Sequence, residues 1–206
     1  MAASCCFVAC IGDFAVTFLI GSFYRDYNFL TQSESYLGNS KSPVAIYMST
    51  WGIIFSLLFI LYAYALKKTI FANGLWQLIA VWLIVIYGLG EGFGSGLFPY
   101  DYIGNKLTLS AKLHSTFSII GDAAMFFLPY AFLGIFPKRL YPKIHAYSWF
   151  VGISGPLFII FFNLAGKHII PYKGLWQRIY LLDYYSLIMT VTLDMLVDHF
   201  SKMNTK

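Results

Sequence analysis

Apolar residues in this chain fall into six long runs separated by short polar stretches. A helix that crosses a bilayer needs about 20 mostly apolar residues at a rise of about 1.5 Å each. Six segments meet that length: Ala3 to Phe23, Pro43 to Leu66, Phe71 to Gly94, Leu113 to Phe136, His145 to Gly166, and Leu175 to Val197. No stretch alternates apolar and polar residues at period two over the length of a membrane β-strand. The pattern predicts an all-α integral membrane bundle of six transmembrane helices, one domain over residues 1–206.

Composition agrees. Of 206 residues, 59% are apolar and 11% charged, against about a quarter charged in an average soluble domain. That excludes an ordinary soluble globule and a disordered chain. Net charge is +5, but the basic residues are scattered singly and in pairs, so no basic stripe exists and no nucleic-acid partner is expected. The three cysteines, Cys5, Cys6 and Cys10, lie in the first run, too close together to staple a fold, and read as thiols packed among helices. Acylation of Cys5 or Cys6 is the competing reading. The first run lacks a basic leading segment, so it reads as a retained span.

Six spans put both termini on one side, here side A. It carries Lys67, Lys68, Lys138, Arg139, Lys143, Lys202 and Lys206. Side B carries Arg25, Lys41, Lys106, Lys112, Lys167, Lys173 and Arg178. The counts are equal, but the side A loops are short and their cations adjacent, which favours cytoplasmic N- and C-termini. Side B has the long loops, Tyr24 to Ser42 and Ser95 to Lys112, where function is expected.

Ionisable groups inside hydrocarbon cost roughly 2.5–3.5 kcal/mol each, so they face the bundle interior, pair, or line a wet cavity. Asp13, Glu91, His114, Asp122, Arg178, Asp183 and Asp194 are such groups, and most of them converge on the side B half. His114, Ser118 and Asp122 recur every four residues and form one polar stripe on the fourth helix. Glycines alternate from Gly88 to Gly96 around Glu91. At roughly 1 kcal/mol per glycine, the third helix is expected to unwind there and to form a cavity wall, with close helix packing as the alternative.

Several short motifs, in order, carry a resemblance. They are Gln32-Ser33-Glu34-Ser35-Tyr36-Leu37-Gly38 followed by Ser42-Pro43, then Gly96-Leu97-Phe98-Pro99-Tyr100-Asp101 followed by Leu113-His114, then Gly174-Leu175-Trp176-Gln177-Arg178. With these the chain resembles the mostly prokaryotic six-helix membrane family termed domain of unknown function 998. Tyr36 departs from that pattern, standing where an acidic residue is expected. The resemblance implies a six-span membrane protein and supplies no reaction. It points again to the side B loops, His114 and Arg178.

These residues predict a polar-lined cavity in the extracytoplasmic half that binds a lipid or other amphiphile. Its expected lining is Glu91, Asp101, His114, Ser118, Asp122 and Arg178. Arg178 would grip a phosphate or carboxylate, or else pair with Asp183, Glu91 or Asp101. Replacing His114 or Arg178 should then change ligand retention more than folding. Two alternatives are an intramembrane lipid hydrolase using His114 with nearby carboxylates, and a small proton-coupled transporter. His114 and Asp122 lie about 12 Å apart along one helix, so Asp122 cannot orient His114 directly. A metal would have to use His114, Asp101, Asp122 and His168 without a His-x-x-x-His pair, a haem only His114 and His168, both near an edge, and a retinal has no buried lysine, so no metal or cofactor is expected. Membrane lipids are the expected partners. Buried polar groups that only lock helix register are the bland alternative.

Overall fold

The structure is a computed structural model that describes residues 2–69, 74–104 and 106–204; the side chains of residues 69 and 198–204 are outside the description. Six helices in it are long and apolar enough to cross a membrane. They are α1 (Ala2–Ser22), α2 (Ala45–Thr69), α3 (Leu75–Leu97), α4 (Leu109–Ile135), α5 (Pro142–Gly166) and α6 (Lys173–Asn204). The expected start of the third span at Phe71 and the side A residue Lys206 lie outside the described residues. Two two-residue strands, Tyr102–Ile103 and Lys106–Leu107, pair antiparallel in the second side B loop.

Each helix packs on its neighbours in sequence, and α6 closes the set by packing on α1. The result is a ring of six around one aromatic core. Phe59 and Tyr62 of α2, Tyr87 of α3, Phe132 of α4 and Tyr185 of α6 are all nearly or fully buried in it. Large apolar side chains point outward on every helix, for example Leu19, Leu61, Trp82, Ile119, Ile153 and Leu182. In water these faces would be a liability; against lipid tails they are the expected outer surface.

The glycine run corrects one expectation. α3 does not unwind at Gly88; it widens into a π-helical segment over Gly88–Gly94 and regains α geometry at Ser95–Leu97. The Ser95 N–H reaches back to the Gly90 carbonyl, and the Ser95 hydroxyl donates to the same carbonyl at 3.1 Å. Ser56 of α2 donates to the Gly88 carbonyl. Absent side chains explain why the helix survives: a Cβ on Gly92 would stand 2.6 Å from the Gly52 carbonyl oxygen, and one on Gly90 2.7 Å from that of Phe117. Backbones of α2, α3 and α4 approach too closely for any other residue, as small-residue membrane interfaces do. The closeness compensates the poor intrinsic helicity of glycine.

The first long loop lies over the side B end of the bundle. A 3-10 turn at Glu34–Tyr36 sits within it, and Leu37 is fully buried. The Leu175 N–H donates to the Leu30 carbonyl, so the loop is fastened to the first turn of α6. At Gly174 a Cβ would clash with the Gln32 and Phe29 carbonyl oxygens, so the Gly-Leu-Trp-Gln-Arg motif opens with the residue this contact demands.

Candidate functional site

Under the first loop lies a cavity of about 90 Å³, enclosed by every helix except α5. α1 contributes Asp13, the loop contributes Glu34, Ser35 and Gly38, and α2 runs from Met48 to Phe55 along one wall. α3 contributes Tyr87 and its π segment with Glu91, Gly92, Ser95 and Gly96. His114 of α4 and Gln177, Tyr180, Leu181 and Tyr185 of α6 complete it. Three carboxyl groups therefore face one small space, and none of the described lining residues is Lys or Arg.

Each carboxyl is held by named donors. Asp13 accepts from Trp51 Nε1 at 2.9 Å and from the Tyr185 hydroxyl at 2.8 Å, and Tyr185 shares a 2.6 Å hydrogen bond with Tyr87. Glu91 accepts from the Ser118 hydroxyl at 3.3 Å through Oε2, and its buried Oε1 has no partner among the described residues. Glu34 accepts a long bond from Thr17 at 3.4 Å, and its backbone N–H donates to Gln177 at 2.7 Å. Burial, helped by the nearby Asp13 carboxyl and only partly offset by Arg178, pushes the Glu34 carboxyl up to about 8.

Arg178 is engaged by protein groups on the first loop and α6. Its guanidinium donates to the carbonyls of Phe29 and Gly174 and to the Tyr27 hydroxyl, at 2.7–2.9 Å. The rings of Phe18, Tyr27 and Phe29 lie 5.4–6.0 Å from its central carbon. Its ion pair is with Glu34 at 3.9 Å, not with Asp183, Glu91 or Asp101. Arg178 thus fastens the loop to α6, and most of its donors are spent on protein acceptors. Asp183 instead accepts from Ser154 at 2.7 Å.

The other expected site residues separate into two groups. Glu91 and His114 line the cavity, and Ser118 touches Glu91 and shares a 2.8 Å bond with Ser95. Asp101 and Asp122 are not part of its wall. Asp122 faces Tyr180. Asp101 accepts from the Ser40 N–H at 2.9 Å and borders a separate surface basin of about 700 Å³. That basin is framed by Tyr24, Tyr36, Tyr100 and Tyr102, with Lys41 and Lys173 on its rim.

His114 is the best-positioned side chain of the site. Its Nδ1 lies 2.9 Å from the Ser95 carbonyl oxygen and 2.8 Å from that of Phe98. Its Nε2 lies 3.1 Å from the Ser35 hydroxyl. Ser35, Asp13 and Tyr185 are the cavity residues that the polar stripe of α4 does not reveal. Their partners stand on other elements, 79 positions away for Ser35 and 172 for Tyr185.

Among the described residues no group of His, Cys, Asp and Glu has the arrangement of a metal site. Six helices, each long and apolar enough to cross a bilayer, define a multi-pass integral membrane protein. The family model described as protein of unknown function (DUF998) matches residues 7–194, and the chain belongs to that family. No curated protein and no solved structure matches it.

Proposed function

We propose that this protein binds a membrane amphiphile and that the cavity receives the ligand's polar end. One observation carries the reading: Asp13, Glu34 and Glu91 converge on a single cavity walled by Trp51, Phe55, Tyr87 and Tyr185. Carboxyl groups framed by aromatic rings suit an amine or ammonium, which rings attract through their electron-rich faces. With Arg178 engaged by Glu34 and three other acceptors, the site favours a cationic group over the phosphate or carboxylate an unpartnered arginine would select.

Size limits the occupant. A dry apolar cavity of about 150 Å³ admits benzene, so one of 90 Å³ suits a smaller group such as a substituted ammonium. The acyl chain must stay outside, among the lipids. Side B is taken as extracytoplasmic, because the adjacent cations Lys67-Lys68 and Lys138-Arg139 lie in short loops at the other face.

The test compares a long-chain alkylamine with the carboxylic acid of equal length, by native mass spectrometry and by ligand-induced thermal stabilisation. Retention of the amine in preference to the acid, weakened about tenfold or more by Glu91→Gln, is the expected result. Equal retention of both, or preference for the acid, would overturn the reading.

A further inference from the structure

We infer that Ser35 and His114 form a nucleophile–base pair that cleaves esters in the wall of the cavity. The assignment rests on geometry. The two acceptors at His114 Nδ1 are backbone carbonyl oxygens, those of Ser95 and Phe98, which can only accept. The neutral ring must therefore carry its proton on Nδ1. That leaves the Nε2 lone pair pointing at Ser35, whose hydroxyl is 3.1 Å away. A hydroxyl on a basic nitrogen, with the base oriented by a third group, is the general arrangement of an activated nucleophile. Here two carbonyls do the orienting that a carboxylate does elsewhere.

The surroundings keep both partners in place. His114 is 7% exposed and its ring stacks obliquely on Tyr100 at 5.2 Å. Ser35 is the middle residue of a 3-10 turn held by Gln177 at the Glu34 N–H and by buried Leu37 on its far side. Both residues line the cavity, so a molecule with its polar end inside meets the hydroxyl. Ser118, the hydroxyl nearest His114 along the helix stripe, is bound instead to Ser95 and Glu91.

The chemistry balances with water as the only co-reactant. Ser35 Oγ bonds to the ester carbonyl carbon as its proton passes to Nε2. The tetrahedral intermediate breaks the ester C–O bond, and the departing alcohol takes that proton. A water then gives a proton to Nε2 and its oxygen attacks the acyl-serine. The bond to Oγ breaks, Ser35 regains the proton and a carboxylic acid leaves. The substrate class is an amphiphilic ester with a small ammonium-bearing part. The ammonium part of that statement rests on the proposed function; the nucleophile assignment does not.

The experiment is reaction of the purified full-length protein with a fluorophosphonate, read by peptide mass spectrometry. An adduct on Ser35, absent in Ser35→Ala and formed about 100-fold more slowly in His114→Asn, is expected. Because His114→Asn removes a buried link, Ser35→Cys, which keeps His114, provides the second test. Its alkylation by iodoacetamide at neutral pH should exceed that of the exposed thiol in Lys41→Cys about tenfold, and a slower reaction than that thiol would overturn the pair. No adduct at Ser35, or rates indifferent to His114 in a folded protein, would overturn the pair. Protection of Ser35 by a long-chain ester of dimethylaminoethanol but not by the matching neutral ester is expected. Equal protection by both would overturn the ammonium reading while the nucleophile stands.

Discussion

Glu34 has an environment that its sequence neighbourhood does not announce. It sits in a polar loop, yet its carboxyl is withdrawn from water and titrates at about 8 in place of 4.5. The sign of the consequence follows from linkage. Between those values the folded protein keeps a proton that the unfolded chain has lost. Stability is therefore greatest below pH 4.5, declines as pH rises through that window and levels off above 8. Thermal unfolding in detergent across the window should show this slope, reduced in Glu34→Gln; an identical slope in both proteins would remove Glu34 as its source. A bound cation favours the ionised carboxyl, so affinity for the alkylamine should rise towards pH 8. Arg178 belongs to the same scale. Sequence alone made it a ligand anchor whose loss spares the fold, but its contacts to Tyr27, Phe29 and Gly174 make it a clamp. Arg178→Met should destabilise by about 3 kcal/mol, because buried acceptors lose a charged donor. Retained stability with lost ligand would restore the anchor role. The reason this was illegible is distance: Tyr27 lies 151 positions from Arg178, and no local spacing announces that pairing.

At the scale of elements, what the sequence predicts well is what hydrocarbon enforces. A run of apolar residues long enough to span has few alternatives to helix, and among the described residues each of the six segments carries a helix of membrane-crossing length. The unwinding expected of the glycine run in α3 does not occur, because propensity treats each glycine in isolation while the packing that the run also suggests supplies the missing stability. In the fold, Gly52, Gly88, Gly90 and Gly92 are contact surfaces, and the backbone they expose is satisfied by neighbouring helices and by Ser56 and Ser95. The widened turn then presents Glu91 and Gly92 to the cavity, as π segments often do at functional sites. Substitution separates packing from mere tolerance. Gly90→Ala should cost about 1–3 kcal/mol, since its Cβ would meet backbone of Phe117 and Gly121 within 3 Å. Gly38→Ala, whose nearest neighbours lie 3.8 Å or more away, should be close to neutral. Chemical denaturation of the two variants, compared with the unsubstituted protein, checks the contrast; equal effects would mean that α3 and α4 part readily.

For the whole molecule, the ring order and the polarity of the bundle make separate predictions. Sequential packing closed by α6 on α1 requires the two long loops to share side B with Lys41 and Lys106, while Lys67 and Lys138 share side A. These four lysines are exposed and stand outside the helix core, so replacing each singly by cysteine should leave the fold intact. The native Cys5, Cys6 and Cys10 are buried, which keeps the background of a polar, impermeant maleimide low. With the proposed orientation, Lys41→Cys and Lys106→Cys react in intact cells, and Lys67→Cys and Lys138→Cys react only after permeabilisation. The reverse pattern keeps the six-span ring but turns the cavity towards the cytoplasm, so that Ser35, His114 and the three carboxyls would serve the inner leaflet. Split behaviour within either pair would break the ring itself. The measurement thus tests the spans, which hydropathy makes legible, apart from the sidedness, which seven cations on each face leave to loop length alone.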